Sequence, residues 1–410
     1  MESSNIQPEL RFPEYTDNWI ETILGNPDIT TFLKGKGISK NDIDDSGQTK
    51  CIRYGELYTQ YNEVIEDVIS RTNIPIEDLV FSEVNDVIIP SSGETILDIA
   101  TASCVMEEGI ALGGDLNVIR SSIDGVFLSY YLNSVKKRAI ARLSQGISVI
   151  HLYSTHLKTL KINIPSNEEQ QKIANFLIAI NKRINLLEEK KKQLEEYKKG
   201  VMQKIFNQEI RFKDDNDNDF PDWEEKKVDD VFEGLRGKGL SKDVIVENGE
   251  SDCILYGELF TKYSEVIHKI ISKTNSEEGV KSINGDLLIP TSTTTTGIDL
   301  ANVTAILKND VQLGGDITIL RNKIEIAPLF YAYYLSNYKK YEISRFTQGI
   351  TIVHLYFNHI KKMPIHYPDP LEQNRIGEFL YKIDDKIFNL KELMIKTSSF
   401  KDALLQRLFV

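Results

Sequence analysis

Two long stretches of the chain place apolar residues at alternating steps of four and three positions. The first runs from Ser166 to Ile205 and the second from Asp369 to Leu408. This 3.5-residue repeat predicts a helix with a narrow apolar seam, which is typical of a coiled coil. The predicted seam residues are Ile173, Leu177, Ile180, Ile184, Leu187, Leu194, Val201 and Ile205, then Ile376, Leu380, Ile383, Ile387, Leu390, Met394, Leu404 and Leu408, with interruptions at Lys191, Lys198, Thr397 and Lys401.

Both stretches begin at helix-capping sequences. The N-cap and its capping-box partner are Ser166 and Glu169 in the first stretch and Asp369 and Glu372 in the second, where Pro370 takes the first helical position. A helix over 167–206 is about 60 Å long at 1.5 Å per residue. An amphipathic helix lying on its own domain is the alternative, but this length favours an antiparallel coiled coil.

The segments that precede the two helices are copies of each other. The matching sequences are "GKGISK" (35–40) and "GKGLSK" (237–242), "CIRYGELYTQY" (51–61) and "CILYGELFTKY" (253–263), "LGGDLNVIR" (112–120) and "LGGDITILR" (313–321), "YYLNSVKK" (130–137) and "YYLSNYKK" (333–340), and "QGISVIHLYSTHLK" (145–158) and "QGITIVHLYFNHIK" (348–361). Residues 35–69 and 237–271 share 19 identities in 35. A period near 200 indicates a duplicated domain rather than a solenoid.

Each copy has a mixed α/β pattern. "NDVIIP" (85–90) and "GDLLIP" (285–290) predict buried strands that stop at a proline. "GVFLSYYLNSVKKRAIARL" (125–143) has helical periodicity, and "LKTLKINIP" (157–165) alternates like a strand. The predicted fold is therefore mixed α/β, with two duplicated domains separated by two long antiparallel coiled-coil helices and related by a pseudo-two-fold axis. The expected boundaries are copy one at 1–165, a spacer helix at 166–206, copy two at 207–368 and a second spacer helix at 369–410.

Charge and composition narrow the class of protein. The 410-residue chain has a formal charge of -12, but half of it lies in an acidic, linker-like stretch at 213–230. The net charge therefore does not exclude a nucleic-acid partner. The three cysteines form neither a disulfide framework nor a zinc pattern. No apolar run approaches the roughly 20 residues that span a membrane, and no secretion signal is visible, so we expect a cytoplasmic protein.

The sequence lacks the motifs of the enzyme classes that it superficially resembles. "NPDI" (26–29) lacks the second proline and the aromatic residue of an adenine methyltransferase loop, and "GLRGKGLS" (234–241) lacks P-loop spacing. "PDWEEK" (221–226) resembles a nuclease carboxylate set, but we interpret it as solvated linker charge without a counterpart in copy one. The histidines His151, His156, His354 and His359 have no further metal ligands at suitable spacing, so we expect no metal.

Cations and aromatic residues cluster in both copies, together with polar side chains suited to phosphates and base edges. The candidate DNA contacts are Lys36, Ser39, Lys40, Arg53, Tyr54, Tyr58, Arg142 and Gln145 in copy one, and Lys238, Ser241, Lys242, Tyr256, Lys262, Arg345 and Gln348 in copy two. The glycines of "GKGISK" are expected to let backbone N–H groups approach a phosphate. For Gln145 and Gln348, a helix C-cap glycine with an exposed glutamine is the alternative.

The whole layout resembles the specificity subunit of type I restriction-modification enzymes. The resemblance rests on "PELRF" with Trp19, its echo "QEIRF" with Trp223, "YGEL", "LGGD", "QGI" and the helix openings "EQQKIANFL" and "EQNRIGEFL". It implies two target recognition domains that read a split duplex DNA target across a helical spacer. It also implies methyltransferase subunits, two by expectation, and restriction subunits as partners, which bind S-adenosylmethionine, ATP and Mg while this chain binds no cofactor.

Two further hypotheses accompany this interpretation. The copies are so alike that the two half-sites should share base pairs in inverted orientation, and differ where Arg53 faces Leu255 and where "SSGET" (91–95) faces "TSTTT" (291–295). The alternative class is a duplicated coiled-coil scaffold that binds protein partners without DNA. An enzyme acting alone ranks third.

Overall fold

The computed structural model describes residues 6–146 and 149–410. Residues 1–5 lie outside the described residues. So do Ile147 and Ser148, which belong to the first "QGI" segment. The chain forms two compact units. Unit 1 comprises the chain up to Leu186 together with Met394–Val410, and unit 2 comprises Leu187–Leu393. Each long helix contributes residues to both units. The four-part division expected from the sequence stays a prediction.

Copy one folds as a set of short strands and helices followed by a long helix. Its strands are β1 Ile20–Ile23, β2 Thr30–Lys34, β3 Thr49–Ile52, β4 Val64–Ile65, β5 Arg71–Thr72, β6 Asp86–Pro90, β7 Ser92–Gly93, β8 Ser103–Val105, β9 Ala111–Leu112, β10 Leu116–Ser121, β11 Ile150–His151 and β12 Lys161–Ile164. Its helices are α1 Glu56–Thr59, α2 Gly125–Ser134, α3 Lys137–Leu143, α4 Ser154–Leu157 and the long α5 Asn167–Phe206, with 3-10 turns at Lys40–Asp42 and Ile76–Asp78.

Copy two repeats this order. Its strands are β13 Glu224–Lys227, β14 Phe232–Arg236, β15 Ser251–Ile254, β16 Ser272–Thr274, β17 Val280–Lys281, β18 Asp286–Pro290, β19 Ser292–Thr293, β20 Thr304–Ile306, β21 Gln312–Leu313, β22 Ile317–Asn322, β23 Val353–His354 and β24 Pro364–Tyr367. Its helices are α6 Val228–Val231, α7 Glu258–Thr261, α8 Gly297–Leu300, α9 Pro328–Tyr333, α10 Lys340–Ser344, α11 Phe357–Ile360 and the long α12 Pro370–Leu408, with a 3-10 turn at Lys242–Val244 and a π-helical turn at Tyr334–Tyr338.

One sheet in each copy shares the same order over four strands. In copy one it runs β2-β10-β6-β8 with β4 as a fifth strand, and in copy two it runs β14-β22-β18-β20. Every residue of β6 and β18 is buried, because these central strands are covered on both faces. The two predicted proline-terminated strands are thereby confirmed, as is the mixed α/β class.

Two local expectations were wrong. The helix predicted over 125–143 is broken after Ser134 into α2 and α3. The acidic stretch 213–230 is not simply a linker, because β13 lies within it and pairs with β24 in antiparallel register. Its counterpart is the pairing of β1 with β12, so the Trp223 segment has a counterpart in copy one after all. The side chains of Asp222 and Glu224 are nonetheless solvent-exposed, as solvated charge should be.

A buried carboxylate fixes the first turn of each long helix. The Glu169 carboxylate accepts hydrogen bonds from Arg11 Nε (2.8 Å) and Nη2 (2.7 Å) and a longer one from Trp19 Nε1 (3.4 Å). Glu372 accepts the equivalent bonds from Arg211 and Trp223. Charge-assisted bidentate pairs are the strongest protein hydrogen bonds. These contacts explain the repeated Arg-Phe and Trp motifs.

The predicted capping boxes are only partly correct. The Glu169 N–H does lie 3.4 Å from Ser166 Oγ, and Asp369 Oδ1 accepts a hydrogen bond from the Leu371 N–H. The Glu169 and Glu372 carboxylates, however, bind arginine and tryptophan side chains that precede the helix by about 150 residues. Ser166 and Asp369 therefore cap the N-termini of the helices, and Glu169 and Glu372 bind the helices to their domains.

The ten predicted spacer residues lie on the buried side of the helices. Ile173, Leu177, Ile180, Ile376, Leu380, Ile383 and Ile387 are buried, and Ile184, Leu187 and Leu390 are half-buried. Ile173, Leu177 and Ile180 share a core with the sheet and α2 of their own copy. The same core contains Leu404 and Leu408 of α12, so the first turns of α5 pack both on their own domain and beside the other long helix.

The last turns of each long helix complete the core of the other copy. Phe206, at the end of α5, packs edge-on against Phe330 and Tyr334 in unit 2. Phe409, just after α12, packs edge-on against Phe127 and Tyr131 in unit 1. Each core is thus finished by a phenylalanine that comes from the helix following the other copy.

A lysine that interrupts the seam makes a buried ion cluster in unit 2. Lys198 Nζ lies 2.7 Å from Asp384 Oδ1 and 2.9 Å from Glu265 Oε2, and the Tyr333 hydroxyl donates a hydrogen bond to Asp384 (2.6 Å). Burial raises the pKa of Glu265, but the charge of Lys198 and a hydrogen bond from an asparagine outweigh it, so this pKa is lowered.

The ion pairs also give the direction of the helix pair inside unit 2. Lys198 of α5 meets Asp384 of α12, and Glu195 meets Lys391 at 3.7 Å. The residue numbers fall along one helix as they rise along the other, so the two segments run antiparallel, as predicted. The pseudo-two-fold axis stays a prediction.

Unit 1 has a weaker version of this cluster. Lys401 lies 3.2 Å from Glu63, which is the residue of copy one that corresponds to Glu265. Asn181 stands where copy two has Asp384, and it donates to the Tyr130 hydroxyl. Lys401 therefore faces one carboxylate where Lys198 faces two.

We predict that Lys198→Met destabilises unit 2 by about 3–5 kcal/mol, since two carboxylates are left buried without a cation. Lys401→Met should lower the free energy of unfolding of unit 1 by clearly less than this. The chain has two tryptophans, Trp19 in unit 1 and Trp223 in unit 2. Urea unfolding followed by Trp223 fluorescence in a Trp19→Phe background, and the reverse, reports the two units separately. Equal losses for the two lysine variants would contradict this account.

Candidate nucleic-acid interface

Three of the repeated motifs meet around one open cavity in copy one. The cavity has a volume of about 500 Å³. Its lining comes from the loop after β2, the turn after β3 and the turn before β10, and comprises Gly37, Ile38, Ser39, Lys40, Asp42, Arg53, Tyr54, Gly55, Gly113, Gly114 and Asp115. Motifs that lie as much as 80 residues apart thus form one surface, and this convergence could not be read from their spacing.

The "GKGISK" loop has a strained backbone that the surrounding structure holds in place. Gly37 and Ile38 have φ values of 60° and 58°, and the equivalent Gly239 and Leu240 have 58° and 53°. A β-branched residue such as Ile38 rarely adopts this conformation. Its side chain is buried, and the Gly37 carbonyl accepts a hydrogen bond from the Gly114 N–H at 2.8 Å. Both copies keep this shape.

The expectation that backbone N–H groups of "GKGISK" approach a phosphate is wrong for two of these groups. The N–H groups of Gly35 and Lys36 donate to Leu116 and Leu112 of the same domain, so they do not face a ligand. The Ser39 hydroxyl donates to the Asp42 carboxylate at 2.6 Å, which lowers the pKa of Asp42.

The side chains of this loop remain accessible in both copies. Lys36 is exposed and lies 3.2 Å from Asp78. The other exposed members of the predicted loop set are Ser39, Lys40, Lys238, Ser241 and Lys242.

The turn after β3 presents two aromatic rings. The rings of Tyr54 and Tyr58 lie 6.4 Å apart and are half-buried, and Tyr256 and Phe260 repeat this pair at 6.4 Å. Burial raises the pKa of Tyr58, with smaller contributions from nearby tyrosine and carboxylate groups. Tyr256 is exposed, and Lys262 lies exposed just beyond α7.

A second cavity of about 470 Å³ shares Asp115 with the first. It is lined by Lys34, Ser92, Asn117, His151 and Tyr153, among others. Strand β7 with Ser92 pairs with β11 with His151, and Ser92 Oγ lies 3.3 Å from His151 Nδ1. Ser92 belongs to the "SSGET" segment in which the half-sites were expected to differ, whereas Asn117 and Asp115 are absent from the predicted contacts, although Asp115 lies in the repeated "LGGD" motif.

Each predicted glutamine pairs with a histidine, and in copy one that histidine, His151, lines the second cavity. Gln145 exchanges two backbone hydrogen bonds with His151, of 2.9 and 2.7 Å, and Gln348 does the same with His354. Gly146 and Gly349, with φ values of 128° and 114°, turn the chain after each glutamine. The glycines do not cap the helices, which end at Leu143 and Ser344, but both glutamine side chains are exposed, as that alternative also expected.

The remaining predicted residues are Arg142, in the last turn of α3, and Arg345, just after α10. Both are exposed, and neither is part of the two cavities described above. Within residues 6–146 and 149–410, no cluster of three or more histidine, cysteine or acidic side chains is arranged to hold a metal. No helix in the described part of the chain is long and apolar enough to cross a membrane.

Comparisons with known proteins bear on what this surface does. A family model for the type I restriction modification DNA specificity domain matches residues 25–196 and 221–397. A putative type I restriction enzyme MjaX specificity subunit from Methanocaldococcus jannaschii is 25% identical over 337 residues, covering 79% of this chain and 76% of that one.

Solved structures share the fold. The type I restriction-modification S subunit from M. genitalium matches with a TM-score of 0.66 at 17% identity over 99% of both chains. A chain from a study of complex assembly and conformational transition of the type I R-M system matches with a TM-score of 0.51 at 16% identity, over 95% of this chain and 97% of that one.

Since the family model covers most of its length, the chain belongs to the type I restriction-modification DNA specificity family. The resemblance inferred from the sequence is confirmed. Members are specificity subunits, and catalysis lies in the methyltransferase and restriction subunits.

We predict that Gly237→Ala disrupts the site in copy two at a cost of about 1–3 kcal/mol. A Cβ at Gly237 collides with the carbonyl oxygen of Gly314 and forces the "GKGLSK" and "LGGD" loops apart. Gly257→Ala is the matched control in the same copy, since a Cβ there meets nothing within 4 Å. The midpoint temperature of thermal unfolding, followed by Trp223 fluorescence, should fall for Gly237→Ala alone. An equal fall for both variants would refute the loop contact.

Proposed function

We propose that this chain reads a bipartite duplex DNA target, with one half-site bound by each copy. The observation that carries this proposal is the convergence of the three repeated loops on one accessible surface in copy one. The same motifs recur in copy two with the same backbone conformation. Membership in the specificity family supplies the ligand, which is double-stranded DNA.

The proposed contacts divide by chemistry. Exposed cations neutralise phosphates and fix the register on the duplex. These are Lys36, Lys40, Arg142, Lys238, Lys242, Lys262 and Arg345, and Ser39 and Ser241 accompany them. Side chains with hydrogen-bonding ends or flat rings face bases: Arg53, Tyr54, Tyr58, Gln145, Tyr256 and Gln348.

Partner subunits complete the proposed activity. We infer that two methyltransferase subunits and the restriction subunits assemble on this chain in the cytoplasm of a bacterium. S-adenosylmethionine, ATP and Mg belong to those partners in this account. The relative studied for complex assembly supports a multi-subunit setting for chains of this fold.

DNA binding should fall steeply with salt. Neutralising six or more phosphates predicts a loss of affinity of roughly a thousand-fold or more between 50 and 200 mM salt, because bound counterions are released. Fluorescence anisotropy of a labelled duplex with the purified chain measures this. A flat response would favour the scaffold function, in which the copies bind proteins and no DNA.

The double variant Lys36→Ala/Lys40→Ala should weaken binding to every sequence alike. Loss of two phosphate contacts reduces the slope of log affinity against log salt by about two. Lys161→Ala is the matched control, since Lys161 is also exposed and paired with a carboxylate (Glu21, 3.0 Å) but lies outside the three loops. An unchanged slope for the double variant would remove this loop from the interface.

A further inference from the structure

The two copies carry different side chains at one equivalent position of the proposed interface. Arg53 and Leu255 occupy the same turn after equivalent strands. The backbone N–H of each donates to the glutamate three residues on, at 2.7 Å for Glu56 and 3.0 Å for Glu258. The backbone is thus held alike in both copies, while the side chains differ completely.

The buried carboxylates beneath these turns are also alike. Glu56 accepts a hydrogen bond from Ser70, and Glu258 accepts one from Ser272 at 2.5 Å. Glu56 therefore keeps its bonds to Ser70 and to the backbone N–H of residue 53 whether or not position 53 carries a charge. Copy two shows that leucine is compatible with this arrangement, so Arg53 is not required to form the turn.

The Arg53 guanidinium is held in place but incompletely paired. Its Nη2 lies 3.3 Å from Glu56 Oε1, and its side chain retains 24% of its exposure. Its Nε is buried and has no hydrogen-bond partner among the residues that the structure describes. Leaving a buried donor unpaired costs stability. Arg53 lines the same cavity as Lys40 and Tyr54, so a ligand entering there meets a pre-oriented donor group.

We propose that Arg53 specifies a guanine in the half-site read by copy one. The inference rests on the DNA-reading function proposed above. Arginine bonding to guanine O6 and N7 is the commonest base-specific contact in the major groove, and a carboxylate that fixes the guanidinium sharpens it. Leu255 has no donor, so copy two makes no such contact. The two half-sites therefore differ at this base pair.

Reciprocal substitutions test this proposal. The chain, assembled with its methyltransferase subunits, is used to map methylated adenines and the flanking bases. Arg53→Leu should make one position of the first half-site degenerate, with discrimination for guanine falling about 5- to 150-fold, and leave the second half-site unchanged. Leu255→Arg should add a guanine preference in the second half-site alone.

Arg53→Lys separates base reading from phosphate binding, because lysine keeps the charge and loses the fork of donors. We expect it to lose guanine discrimination as Arg53→Leu does. If Arg53→Leu instead weakens binding equally for all four bases while Arg53→Lys restores it, Arg53 is a phosphate contact and the proposal is wrong. Absence of any sequence preference in the unmodified complex would overturn the proposed function itself. Trp19 fluorescence confirms that the Arg53 variants are folded, and Trp223 fluorescence does so for Leu255→Arg.

Discussion

The structure depends on burying the two ends of each long helix in two different cores. The first turns of α5 lie on copy one, where Glu169 binds Arg11 and Trp19, and its last residue, Phe206, is buried among aromatic rings of unit 2. Helix α12 is anchored in the same way at both ends. Apolar burial and a charge-assisted bidentate pair are strong, so the ends are firmly held. Neither domain is complete without the helix that follows the other copy.

This constraint relates the fold to the proposed function. A helix that is continuous over 40 residues carries side chains that belong to both cores. The loops of the proposed interface are held by short contacts within each domain, such as the close approach of Gly35 to Gly113. Rigid elements place binding side chains more accurately than free loops do. The chain supplies positions for contacts, and its partners supply the chemistry.

Much of this was accessible from the sequence, and the missing parts share a physical cause. Periodicity predicted the seam, since Ile173 and Ile376 follow a local rule, and the repeated motifs identified the duplication. The partners of Lys198 are 67 and 186 residues away, so local pattern marked it only as an interruption. Glu169 was likewise read as a capping residue although it binds Arg11. The bond from the Glu169 N–H to Ser166 Oγ, by contrast, joins residues three positions apart and follows the local capping rule.

The central claim is that one chain reads two half-sites at one fixed spacing. The most direct test measures methylation by the assembled complex on duplexes in which the unread gap between the half-sites is lengthened or shortened one base pair at a time. Each added base pair rotates and shifts one half-site relative to the other. This account predicts methylation at a single gap length and a sharp loss on either side of it. Equal methylation over a range of gap lengths would contradict it.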